Sequence, residues 1–167
     1  GVDDAARDVP PGGGGEIVYR GPTVMLGYYD DEAATAEAFA GGWFHSGDLV
    51  RVDDEGYITV AGRKKDMIIS GGENVYPAEV EEVLAAHPAV ADVAVVGLPH
   101  ERWVETPVAV VVLEAGAHAD ERELIAHCRG HLAGYKKPTR VVFVDTLPRN
   151  AGGKIDRKQV IKLADSA

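Results

Sequence analysis

Cysteine is almost absent: Cys128 stands alone among 167 residues. That excludes an intramolecular disulfide and fits a reducing, cytoplasmic setting. Long apolar runs are missing too, so no segment reads as a membrane-spanning helix, and no charged-then-apolar leader opens the chain. Positive charge is scarce. Seventeen Lys and Arg face 27 Asp and Glu, for a formal charge of -10, and the two basic runs, Arg63 to Lys65 and Tyr135 to Lys137, are short. Such a surface repels nucleic acid and anionic membrane, so neither is an expected partner. No Gly-x-x-x-x-Gly-Lys-Ser/Thr phosphate loop occurs. The pair His127 and His131 has helical zinc spacing but lacks the glutamate of a His-Glu-x-x-His motif and an obvious third ligand, so both read as surface histidines and no metal site is expected. The first residue is Gly, which points to a processed or truncated chain.

What is present is a hydrophobic fraction of 46%, enough for a globular core. The front is β-rich. A loop of Asp, Pro and Gly leads into a strand at Glu16 to Arg20, and Asp30 or Asp31 caps a helix over Ala33 to Phe39 that Gly41 and Gly42 end. Trp43 to Val52 and Tyr57 to Ala61 form a hairpin, with Gly56 supplying a positive φ. From Asp66 strands alternate with amphipathic helices. Pro77 opens a helix with Val80, Val83 and Leu84 on one face and Glu79, Glu81 and Glu82 near its positive end. Val90 to Leu98 and Pro107 to Leu113 read as central strands, Asp120 to Leu132 as a helix, Arg140 to Val144 as a strand, and Asp156 to Leu163 as a short helix with Val160, Ile161 and Leu163 inward. Cys128 falls on the apolar stripe of Leu124 and Leu132, which makes it a buried, inert thiol. The fold class is α+β: a β-rich segment over 1–64, then a small C-terminal domain over 65–167 with a central mixed sheet and flanking helices. The boundary lies at Arg63 to Asp66.

The chemistry gathers in four segments: Phe44-His45-Ser46-Gly47-Asp48-Leu49; Gly62-Arg63-Lys64-Lys65-Asp66 running on to Ser70-Gly71-Gly72-Glu73-Asn74-Val75-Tyr76-Pro77; Tyr135-Lys136-Lys137-Pro138; and Pro148-Arg149-Asn150-Ala151-Gly152-Gly153-Lys154-Ile155-Asp156-Arg157. Taken alone, the last puts one lysine on a glycine-softened loop, from which an ammonium can reach an anionic substrate. In this order and spacing, the four resemble the C-terminal third of the adenylate-forming superfamily, most closely its acyl-CoA synthetases of the fatty-acid and aryl-acid type. The resemblance runs from about Gly15 to about Arg157.

That resemblance implies a two-step reaction. A carboxylic acid and MgATP give acyl-adenylate and pyrophosphate, coenzyme A then takes the acyl group, and the small domain rotates in between. Lys154 matches the lysine of the first step, where a cation offsets the repulsion between an attacking carboxylate and the α-phosphate. Asp48 matches the aspartate that accepts the ribose hydroxyls. Arg63 matches an arginine that reaches the nucleotide. Lys65 falls at the hinge, where relatives carry Asp or Lys. Ser70, Gly71, Gly72 and Glu73 would enter the active site in the second step and border the pantetheine channel, although a plain strand-to-helix turn into Pro77 explains the same residues. Two departures stand out. Val104 replaces the usual Gly, so a positive φ there would be strained, and Ala151-Gly152 replaces a Pro-Thr type pair, which should loosen that loop. The family's phosphate-binding segment, acyl pocket and magnesium-holding acid are absent, so the chain reads as a C-terminal fragment of an acyl-CoA synthetase, inactive alone. The alternative is a noncatalytic interaction module derived from this domain.

Overall fold

The computed structural model describes residues 8–10 and 14–166, which divide after Lys65 into two compact units. In the first, β1 (Gly14–Tyr19), β2 (Phe44–Val52) and β3 (Ile58–Arg63) form an antiparallel sheet in that order. Helix α1 (Glu32–Ala38) sits between β1 and β2 in sequence. Asp31 starts α1, its carboxylate accepting from Ala34 N at 2.8 Å. Gly41, at φ 66°, stops the chain from continuing as helix. The β2–β3 turn is closed by Asp53, whose Oδ1 accepts from Glu55 N at 3.0 Å and Tyr57 N at 2.8 Å.

The second unit is built on one long hairpin, β6 (Val90–His100) and β7 (Val104–Leu113), paired from Val90–Leu113 to His100–Val104. On the other edge of β7 lie β8 (Arg140–Phe143), parallel, and β4 (Ile68–Ser70), antiparallel, which pairs in turn with β5 (Glu73–Val75). The sheet is therefore mixed. Side chains alternate across it, so β6 and β7 feed two cores. Val93, Val95, Ala109 and Val111 pack with α2 (Pro77–Ala85) and α3 (Glu121–His131) through Val80, Leu84, Leu124 and Cys128. Ala94, Val96, Val108 and Val110 pack with Val160 and Ala164 of α4 (Arg157–Ser166). Burial on both faces is why these strands read as unbroken apolar runs.

Three local expectations need correction. In α4 only Val160 and Ala164 face inward, while Ile161 and Leu163 are 42% and 37% exposed. The inward stripe follows the i, i+4 spacing, and 161 and 163 lie to either side of it. The turn into Pro77 is a hairpin of two three-residue strands, β4 and β5, too short to show a period of two. His127 is half-buried rather than on the surface: it meets His87 edge-on at 5.1 Å, and its Nε2 lies 3.0 Å from Val83 O. Cys128 is fully buried, and desolvation pushes its thiol up to about 11, out of reach of nucleophilic chemistry at neutral pH.

Val104 does adopt φ 69°, in the left-handed region that β-branched residues avoid. It is fixed there between two partners, pairing with His100 on one side and Ser70 on the other. Its side chain is mostly exposed, so removing it forfeits little burial. Val104→Gly is expected to stabilise by about 1 kcal/mol, the left-handed penalty less the entropy cost of glycine. A thermal scan should show Tm up by about 2–4 °C; an unchanged or lower Tm would mean that the pairing relieves the strain.

Candidate active-site elements

Sheet register brings Asp48 and Arg63 opposite each other on β2 and β3, with Arg63 Nε 2.8 Å from Asp48 Oδ1. Asp48 is aimed from behind. Gly47 turns the chain at φ 72°, and Ser46 Oγ accepts from Asp48 N at 3.0 Å while donating to Ile17 O at 2.7 Å. The remaining lone pairs of the carboxylate suit a pair of vicinal hydroxyls.

Behind them sits a residue that the sequence reading passed over. Glu16 is only 5% exposed and accepts from Gly47 N at 2.9 Å, with His45 Nδ1 at 3.1 Å and Lys64 Nζ at 3.4 Å. Burial pushes this carboxyl up, but the His45 hydrogen bond, the Gly47 amide and the nearby charges outweigh it and hold it below the ordinary glutamate value. It therefore stays ionised at neutral pH. A cavity of about 670 Å³ opens beside it, lined among others by Tyr28, His45, Ser46, Gly47, Arg63 and Lys65. The one available signal was an acid in a predicted strand on the same side as Val18. Lys65 itself is exposed, in a 3-10 turn over Lys64–Asp66.

In the second unit, Ser70 and Glu73 pair across the β4–β5 turn, with Gly71 and Gly72 between them at φ 62° and 87°. Two successive positive φ values make the tight hairpin turn that glycine serves without strain. Gly71 is needed for space as well as for its φ. A Cβ there would lie 3.0 Å from Trp103 Cε3, and its N–H donates to Trp103 O at 2.9 Å. Ser70, Gly71 and Glu73 line a cavity of about 300 Å³ together with Trp103, Tyr135 and Lys137; Gly72 does not. Trp103, Tyr135 and Lys137 were not singled out as site residues in the sequence. Lys136 points elsewhere: it is buried and holds both Glu79 oxygens, at 2.6 and 2.7 Å, which ties the Tyr135–Lys137 segment to α2.

Lys154 is exposed and does not line that cavity. Its ammonium has no hydrogen-bond or ion-pair partner among the described residues. The loop beneath it is not loose, contrary to the expectation from Ala151-Gly152. Asn150 Oδ1 accepts from Gly152 N at 2.9 Å and Lys154 N at 3.1 Å, and Asn150 N donates to Lys154 O at 2.8 Å. Arg149 adds a bond to Gly153 O at 3.1 Å while pairing with Asp92 at 2.6 Å. A fixed backbone thus presents a free cation, which lowers the entropy lost when it meets an anion. Among the described residues, no three His, Cys, Asp or Glu side chains converge as a metal site.

Residues 79–154 match the family described as the AMP-binding enzyme C-terminal domain. The 2-succinylbenzoate–CoA ligase of Geobacillus kaustophilus is 50% identical over 157 residues, which are 94% of this chain and 32% of that protein. The feruloyl-CoA synthase of an Amycolatopsis species is 54% identical over 156 residues, 93% of this chain and 32% of that protein. These relatives are CoA ligases of the adenylate-forming superfamily. Among solved structures, ATP-bound MatB from Rhodopseudomonas palustris aligns with a TM-score of 0.89 at 39% identity, over 96% of this chain and 32% of that one. The o-succinylbenzoate CoA synthetase MenE from Bacillus subtilis, in complex with its acyl-adenylate intermediate OSB-AMP, aligns with a TM-score of 0.88 at 42% identity, over 95% of this chain and 32% of that one. The chain thus spans about a third of the length of the curated relatives it matches.

Proposed function

We propose that the chain is the C-terminal part of an acid–thiol ligase, in which a carboxylic acid reacts with ATP to give acyl-adenylate and pyrophosphate, and CoA then displaces AMP to give acyl-CoA. The observation that carries this is the Asp48–Arg63 pair, set 2.8 Å apart by strand register. It offers a carboxylate for ribose hydroxyls beside a fixed cation for the nucleotide. Lys154 serves adenylation, Lys65 is the hinge, and Ser70, Gly71, Gly72 and Glu73 border the pantetheine path in the second step. The domains are 1–64, the end of the large AMP-binding domain, and 65–167, the mobile one. Magnesium, which accompanies the ATP, would take its ligands mostly from the N-terminal part of the full-length protein. Relatives named for succinylbenzoate, ferulate and indoleacetate support an aryl acid over a fatty acid. The unpaired Cys128 supports a cytoplasmic setting.

Pyrophosphate exchange tests the reading. The full-length protein, offered a panel of aryl acids, should exchange labelled pyrophosphate into ATP in an acid-dependent way, and the 167-residue chain should not. Silence of the full-length protein with every acid would overturn the ligase, and acid-dependent AMP release by the isolated chain would overturn the fragment reading.

A further inference from the structure

The residues on either side of Lys65 are held, each within its own unit, by a buried or multiply bonded partner. Lys64 reaches Glu16 at 3.4 Å, and Glu16 is immobilised by Gly47 N and His45. Asp66 Oδ2 lies 3.3 Å from Arg157 Nε. That guanidinium is itself fixed: Nη1 donates to Val95 O at 2.7 Å and Nη2 to Glu81 Oε1 at 3.0 Å. An exposed ion pair alone would hold little. Here each partner is already preorganised by two further bonds, so the flanking residue is what gains order. Lys65, exposed, has no hydrogen-bond or ion-pair partner among the described residues.

We propose that Glu16 and Arg157 are positioning residues that clamp the two flanks of Lys65 and confine the backbone change of domain rotation to that one residue. This rests on Lys65 being the hinge. Confinement has a function. A swivel spread over several residues reaches many end states, whereas one free residue between two anchored neighbours reaches few, which favours the two productive orientations. Neither residue touches substrate in this role. It also gives the chain's one Glu16–Lys64 pair and one Asp66–Arg157 pair a shared purpose that packing does not supply.

The test is a double-mutant cycle in the full-length enzyme, read in the thioester-forming half-reaction. Lys65→Pro should slow that step by about 100-fold in the wild-type background. With Arg157→Gln, which releases Asp66 so that neighbouring dihedrals can substitute, the same proline should cost about tenfold less. A harmless Lys65→Pro would remove the hinge reading and the clamp with it. A damaging proline with equal cost in both backgrounds would leave the hinge and overturn the clamp. A second readout needs no proline variant. Arg157→Gln should raise the rate of tryptic cleavage after Lys64 and Lys65 in the folded enzyme several-fold, roughly as expected for a lost local restraint. Arg149→Gln, which removes the Arg149–Asp92 pair elsewhere in the unit and spares the Asp66–Arg157 pair, should not. Equal cleavage in wild type and Arg157→Gln would overturn the proposal.

Discussion

Lys154→Ala in the full-length enzyme is expected to slow acyl-adenylate formation by about 10²–10³-fold, the scale of losing one preorganised charge-stabilising group. Thioester formation from supplied acyl-adenylate should stay near wild type. The asymmetry follows from where charge develops. Joining a carboxylate to an α-phosphate brings two anions together, and a cation bridging them is worth more in the transition state than before it. Transfer of the acyl group to a thiol has no such encounter. Stability should not change, because the side chain is exposed and unpartnered while the turn is held by Asn150 and Arg149. Rapid-quench measurement of both half-reactions in one preparation checks this. Equal loss of both would make Lys154 a structural residue.

Legibility from sequence depended on how far apart the interacting residues lie. The β6–β7 hairpin was plain because two-sided burial wrote it as apolar runs, and α3 was plain because Leu124 and Cys128 keep helical spacing. The pairing of Asp48 with Arg63 came as two separate motif residues, and only sheet register joined them. Glu16 was invisible in its role, since its partners His45, Gly47 and Lys64 are 29, 31 and 48 residues away. Trp103 likewise enters the second cavity because β7 pairs with β4 at Val104 and Ser70, a contact that no local pattern encodes. The Lys154 loop was misjudged for the opposite reason. Counting its glycines suggested freedom, whereas the asparagine before them closes an Asx-type turn from within.

Lys65→Pro is expected to leave adenylation largely intact and cut acyl transfer to CoA by about 100-fold, the cost of reacting groups held out of alignment. Lys65 lies in a 3-10 turn over Lys64–Asp66, a conformation whose ordinary φ range of about -50 to -70° includes the value that proline imposes, so the substitution suits that class of turn. What it removes is the escape from that value. A residue whose φ is locked cannot absorb the dihedral change that a domain swing demands, and the neighbours on both sides are already occupied by Glu16 and Arg157. The side chain contributes little, being exposed, so Lys65→Ala should retain both half-reactions and serves as the control for loss of charge. The two steps are measured separately: pyrophosphate exchange for the first, and CoA consumption from purified acyl-adenylate for the second. Unimpaired transfer by a proline variant with wild-type Tm would place the hinge elsewhere, and a matching loss in Lys65→Ala would assign the effect to the ammonium rather than to the backbone.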